Sequence, residues 1–215
     1  MNKAVIFDLD GTLIDSIHDI ADCINDMLKK FNHPTHSVEQ IKQYTGDGAR
    51  NLVKRNLPLG LTEQEIDERL NYYNDIYTNS GSPKTCVFAG VKEMLKELKK
   101  RGYKIGILTN KPQMTTDEVY KDHFNDVEID VVVGQRAGMK IKPDPTMLLQ
   151  ILSDLGVEKR NAYFVGDGEP DAQIAINAGV NGISELWGYR TKEQLQKAGA
   201  TVFVKSPQEL LQYLK

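Results

Sequence analysis

Cysteine is scarce in this chain of 215 residues: Cys23 and Cys86 lie far apart and form no CxxC pair. That excludes a disulfide framework and a cysteine-built metal site, so both thiols are expected free, in a reducing compartment. No apolar run approaches the roughly 20 residues that a membrane span needs. Near the start, Asp8 and Asp10 follow a short apolar stretch at once, unlike a signal peptide. The expectation is a cytoplasmic protein without a membrane partner. Charge of one sign is missing too. Thirty acidic side chains against 27 basic ones leave −3, which lacks the electrostatic footprint of a general nucleic-acid binder. With 17 glycines and 8 prolines, usage is ordinary and low complexity is excluded. What remains is a globular chain of one to two domains, at roughly 150 residues each.

Four short apolar segments, 4–7, 103–108, 129–133 and 162–165, are rich in β-branched or aromatic residues. They mostly lack period-2 alternation, as strands buried on both faces do. Residues 180–183 and 201–204 are weaker strand candidates. Between strands lie helical patterns. In 91–101, Val91, Met94, Leu95 and Leu98 share one face and Gly102 follows as a stop. Segments 145–155 and 172–178 end likewise before Gly156 and Gly179. This alternation predicts an α/β fold with a doubly wound parallel sheet. Residues 15–83 break it with helical patterning alone. Ile20, Ile24, Met27, Leu28 and Phe31 share a face, and Thr62 with Glu65 reads as a capping box opening a helix to about residue 78. That is far more chain than a crossover needs. It predicts a helical subdomain of residues 15–83, inserted into a core of 1–14 and 84–215.

Functional groups of open α/β sheets gather at the carboxyl ends of the strands. Four polar signals stand there: Asp8 to Thr12, Thr109 to Pro112, Lys140 to Pro145, and Gly166 to Asp171. Asp8 and Asp10 flank Leu9 and so point to one side of the chain. If the strand before Asp167 neighbours the first, Asp167 and Asp171 face them. Carboxylates brought together repel and call for a hard divalent counter-charge, with Mg²⁺ the fitting cofactor. A carboxylate beside such an ion can attack phosphorus, and a second can move the protons. Thr109, Asn110 and a lysine supply donors and positive charge for a phosphoryl group. Spacing alone leaves Lys140 and Lys142 open for that lysine. In the insertion, Gly46 and Gly48 permit close backbone approach to an anion, and Arg50 and Lys54 stand one turn apart to meet a substrate carboxylate. The four histidines are scattered, and Trp187 reads as a core or loop anchor.

In order, and across nearly the whole chain, these four segments resemble the four motifs of the haloacid dehalogenase-like superfamily. The apolar strand running into Asp8-Leu9-Asp10-Gly11-Thr12 is the most specific. The position of the insertion resembles the helical-cap subclass. The resemblance implies a Rossmann-like core and assigns roles: Asp8 as nucleophile, Asp10 as general acid/base, Thr109 and Lys142 as phosphate-binding residues. It further implies Mg²⁺ held by Asp8, the backbone carbonyl of Asp10 and Asp167, with Asp171 in support. The acid at Asp10 resembles the phosphotransferase branch. Thr45 to Ala49, Thr109 to Pro112 and Trp187-Gly188-Tyr189 look like the phosphoglycolate phosphatase group. Gly168 departs from the pattern, where serine or threonine is usual, as does Val87-Phe88-Ala89-Gly90. The implied activity is Mg²⁺-dependent hydrolysis of a small phosphorylated metabolite, 2-phosphoglycolate first, through an aspartyl-phosphate. The rivals on the same fold are a sugar-phosphate mutase and an inorganic pyrophosphatase. More remote is a non-catalytic receiver-like phosphoprotein. On oligomeric state the sequence is silent.

Overall fold

The computed structural model describes residues 2–214. Its centre is a six-stranded sheet in which every pair is parallel, in the order β5-β4-β1-β6-β7-β8. The strands are β1 (Lys3–Phe7), β4 (Tyr103–Pro112), β5 (Val131–Gln135), β6 (Ala162–Gly166), β7 (Asn181–Glu185) and β8 (Phe203–Val204). Successive side chains of a strand point to opposite faces, and here both faces are apolar. Val5 and Phe7 join one hydrophobic cluster with Leu95, Leu98 and Ile105. Ala4 and Ile6 join another with Leu148, Ile151 and Phe164. Hence the strands read as apolar runs.

Helices cover both faces: α5 (Val91–Lys100), α6 (Gln113–His123), α7 (Thr146–Asp154), α8 (Glu169–Ala178), α9 (Lys192–Lys197) and α10 (Pro207–Tyr213). The α/β, Rossmann-like expectation is met. Strand ends differ from the pattern-based ones by one to four residues, most at the second and third strands. The third strand runs from Val131 to Gln135, and just before it Asp130 accepts from the Ile105 N–H (2.7 Å) and pairs with Lys99 and Lys104. The second runs on to Pro112 across an irregularity after Leu108, so its polar end belongs to the strand itself.

After β1, the chain pairs β2 (Ile14–Asp15) antiparallel with β3 (Cys86–Val87). Two residues are too few to show a period, and this small sheet was not foreseen. Between them lie α1 (Ile17–Lys30), α2 (Val38–Lys42), α3 (Gly48–Asn56) and α4 (Glu63–Asn79), packed around a third cluster with Ile24, Met27, Leu28 and Val53 at its centre. Thr62 and Glu65 form the capping box that opens α4. The buried Asp19 carboxylate accepts from the Lys84 N–H and the Thr85 hydroxyl (2.7 Å), tying α1 to the returning chain. Both cysteines are free. Among the described residues, no helix is long and apolar enough to cross a membrane.

Candidate active site

The strand order turns outward in both directions from β1, with β4 on one side and β6 on the other. Such a switch point opens a crevice at the carboxyl ends. Register puts Phe7 level with Ile107 and Val165. The residues just beyond, Asp8, Thr109 and Asp167, therefore converge. The chain then turns sharply. The N–H groups of Leu13 and Ile14 both donate to the Leu9 carbonyl, and Gly11 takes φ +86°. A Cβ on Gly11 would overlap the Asp167 carboxylate. Replacing Gly11 with alanine combines this overlap with left-handed strain. It is expected to cost roughly 1–3 kcal/mol, read as a lower urea midpoint of the metal-free protein.

Asp8, Asp167 and Asp171 are all buried, and each offers a carboxylate oxygen within 4.8 Å of the others'. Among the described residues, one ammonium touches this trio: Lys142 Nζ stands 2.7 Å from Asp8 Oδ1 and 2.7 Å from Asp171 Oδ1. The contact with Asp8 is an ion pair off the ideal hydrogen-bond direction, whereas that with Asp171 is also a well-aligned hydrogen bond. Asp171 Oδ2 accepts from the Gly168 N–H (2.8 Å), and Asp167 accepts from the Thr12 hydroxyl (3.3 Å) and the Tyr189 N–H (2.7 Å). Burial and then the Asp171 charge push the Asp8 carboxyl up to about 8, although Lys142 opposes the shift. Burial and Asp171 likewise push Asp167 up to about 7. Burial disfavours the Lys142 charge, yet Asp171 and Asp8 outweigh it and hold the ammonium above the usual lysine range. Three buried carboxylates facing one ammonium leave two negative charges uncompensated, which a hard divalent cation would satisfy. The donor set is all oxygen, with no imidazole or thiolate among the three.

Asp10 stands apart from that trio. Its carboxylate receives Lys111 Nζ at 3.0 and 3.3 Å and the Ser16 hydroxyl at 2.6 Å. The Tyr77 hydroxyl of α4 also bonds Lys111 Nζ, and its ring lies 4.5 Å from the ammonium and stacks on Tyr73. A cavity separates the two groups of helices and strands. Asp8, Asp10, Thr109 and Asp167 form its sheet side, and Thr45, Gly46, Leu52 and Tyr73 its insertion side.

A family model for haloacid dehalogenase-like hydrolases matches residues 5–184. The chain belongs to that family. This hydrolase is 32% identical over 214 residues to Phosphoglycolate phosphatase 1 of Pseudomonas aeruginosa, across 97% of this chain and 78% of that protein. It is 31% identical over 221 residues to the Phosphoglycolate phosphatase of Psychrobacter arcticus, across 99% and 95%. The crystal structure of a candidate phosphoglycolate phosphatase from Lactobacillus delbrueckii subsp. bulgaricus superposes with a TM-score of 0.92 at 28% identity, covering 100% of this chain and 99% of that one.

Of the residues singled out in the hydrolase's sequence, Asp8, Asp167, Asp171 and Lys142 meet in one buried cluster, with Thr109 and Asp10 on the same cavity. Lys142 and Lys140 part ways: Lys140 is exposed and pairs with Asp144 (3.2 Å). Asn110 separates them, because its amide holds the Lys142 backbone from both sides, accepting from the N–H at 2.9 Å and donating to the carbonyl at 3.2 Å. The same amide donates to the Gly46 carbonyl at 2.9 Å. Asn110 thus positions a lysine and a loop rather than offering a free donor to substrate. Arg50 is not brought to this cavity. It pairs with Glu63 and Asp67 on the exposed side where α3 meets α4, and Lys54 pairs with Glu63 (3.0 Å). Nor is the Asp10 carboxylate a member of the acidic trio. Trp187 is an anchor, its indole N–H donating to the Thr12 carbonyl (3.0 Å).

Sequence reasoning passed over Lys111, Ser16, Tyr77 and Arg190. For Lys111 the signal was there, since it sits two residues past Thr109 at a strand end. Ser16 lies only six residues past Asp10, whereas Tyr77 and Arg190 reach the site from distant parts of the chain.

Proposed function

We propose that this phosphatase hydrolyses 2-phosphoglycolate with Mg²⁺ as cofactor and Asp8 as nucleophile. The observation that carries the reading is the buried trio of Asp8, Asp167 and Asp171, whose carboxylates converge on one point and share a single lysine ammonium. The substrate rests on the phosphoglycolate phosphatases to which the chain is similar.

Asp8, Asp167 and Asp171 would hold the ion, which when bound neutralises phosphoryl charge and lets the acids ionise together. Lys142 and the Thr109 hydroxyl meet phosphoryl oxygens. An Asp8 oxygen forms a bond to phosphorus as the ester P–O bond breaks, giving an aspartyl-phosphate. Asp10 delivers its proton to the leaving alkoxide, then takes one from the attacking water as inorganic phosphate leaves and Asp8 is regenerated. Ser16 and Lys111 fix the Asp10 carboxylate for both transfers. Residues 15–83 act as a lid over the core of 1–14 and 84–215. Ile20, Leu52 and Tyr73 supply an apolar roof that excludes bulk water.

The test is phosphate release with Mg²⁺ across 2-phosphoglycolate, pyrophosphate, hexose and pentose phosphates, and nucleotides. The highest kcat/KM is expected for 2-phosphoglycolate, with chelator abolishing release. Undiminished release in chelator overturns the metal-assisted mechanism. Conversion of a hexose 1-phosphate to the 6-phosphate makes the protein a mutase instead.

A further inference from the structure

Beyond Lys142 and Lys111, the described residues include a third buried cation with an unusual set of partners. Arg190 follows β7 in the loop whose Tyr189 N–H holds Asp167. Its side chain is 4% exposed. Nε donates to Glu169 Oε2 (2.8 Å), Nη1 to the Lys42 carbonyl (2.9 Å), and Nη2 to the carbonyls of Thr45 (2.6 Å) and Gln43 (3.4 Å). Three nitrogens are therefore committed, and three of the four acceptors are main-chain oxygens of the insertion.

Those oxygens explain the choice of arginine. The last carbonyls of a helix have no partner within it and carry partial negative charge. α2 ends at Lys42; the Gln43 oxygen is such an orphan, and the Lys42 oxygen, which also accepts from the Thr45 hydroxyl (2.8 Å), keeps a lone pair for Arg190. A guanidinium presents five donors in a rigid planar fork, wide enough to meet several spread carbonyls and a carboxylate at once. The held segment then passes directly into Thr45 and Gly46, which form the wall of the cavity. On its other side the guanidinium is anchored by Glu169, two residues past Asp167.

We propose that Arg190 is a positioning residue that ties segment 42–46 of the insertion to the acidic loop 167–171. It sets the cavity wall in its working place only when the insertion lies against the sheet. The proposal rests on the reading of residues 15–83 as a lid. Withdrawal of the insertion removes three acceptors from Arg190 and leaves only Glu169. Closure thus restores the hydrogen bonds of the α2 end and of the acidic loop's arginine together.

The experiment compares the full-length wild type, R190M, R190K and E169Q with Mg²⁺. Amide hydrogen exchange across 42–48 is measured, with kcat and KM for 2-phosphoglycolate and p-nitrophenyl phosphate. In R190M, exchange at 42–48 is expected to speed up roughly ten-fold or more while the sheet amides keep their rates. kcat/KM is expected to fall roughly 10- to 100-fold on both substrates, because a displaced wall misplaces whichever group occupies it. R190K, which keeps the charge but not the fork, falls between R190M and wild type, and E169Q shifts exchange in the same direction. If R190M does not fold, R190K and E169Q carry the comparison. Unchanged exchange at 42–48 in the variants overturns the proposal. So does a loss confined to KM for 2-phosphoglycolate, which would make Arg190 a ligand of the substrate carboxylate. A wild type that releases no phosphate defeats the phosphatase mechanism instead, and the exchange comparison still decides the role of Arg190.

Discussion

Asp8→Asn is expected to lower turnover by on the order of 10⁴-fold or more, the scale seen when a nucleophile that acts as a unit with its partners is removed. The amide keeps the shape of the side chain but has no anionic oxygen with which to attack phosphorus. The same substitution is expected to stabilise the metal-free protein at pH 8. In the fold the Asp8 carboxyl is pushed up to about 8 from its ordinary 3.8, mainly by burial and the Asp171 charge. Between those values the folded chain binds more protons than the unfolded chain at this group. Its contribution to stability is therefore fully present below pH 3.8 and is lost as pH rises toward 8. Asp167, pushed up to about 7, acts in the same direction. Urea titrations of metal-free wild type should show a midpoint falling from pH 5 to pH 8, and Asp8→Asn should flatten that fall. Mg²⁺ added to wild type should raise the midpoint most at the alkaline end, where fewer protons compete for the carboxylates. A variant as active as wild type, or one with an unchanged pH slope, would remove Asp8 from the centre of the site.

Lys142→Met is the second large effect, and it has the opposite sign in stability. Among the described residues, Lys142 is the one ammonium in contact with Asp8 and Asp171, at 2.7 Å from each. Deleting it leaves buried carboxylates unpaired, at a cost of about 3–5 kcal/mol by the usual scale for breaking a buried ion pair from one side. The loss is expected to shrink as pH falls from 8 to 5, because protonation neutralises the abandoned acids, and Mg²⁺ should recover part of it. Activity falls as well, by about 10²–10³-fold, as for removal of one fixed donor to a developing transition-state charge. Lys140→Met, by contrast, touches an exposed pair with Asp144, expected to be worth roughly 0–1 kcal/mol. Stopped phosphate release and urea denaturation of the two variants side by side give the comparison. Equal losses in both would undo the assignment of Lys142.

Several features of this site were legible in the one-dimensional pattern because they depend on neighbours in sequence. A strand buried on both faces is an apolar run, and where a run ends in Asp8-Leu9-Asp10 or Gly166-Asp167 the acids must stand at the strand's carboxyl end. That much places Asp8 and Asp167 together once the strands are adjacent. The capping box at Thr62 and the face of Val91, Met94, Leu95 and Leu98 are equally local, and each appears where its spacing says.

Partner choice was not legible in this way. Lys140 and Lys142 are two residues apart, and only the Asn110 amide, 32 residues away, turns Lys142 inward. Arg50 looks free on its helix until α4 presents Glu63 and Asp67 to it. Tyr77 meets Lys111 because α4 lies over the sheet end, and Arg190 meets Lys42 and Thr45 across 148 and 145 residues of sequence. The sequence by itself determined the class of fold, the strand ends and the acids that stand on them, since those follow from periodicity and local turn chemistry. Only the tertiary structure decided which cations serve which acids and what holds the insertion to the sheet. A side chain's charge is local, but its partners are whatever packing brings within about 3 Å of it.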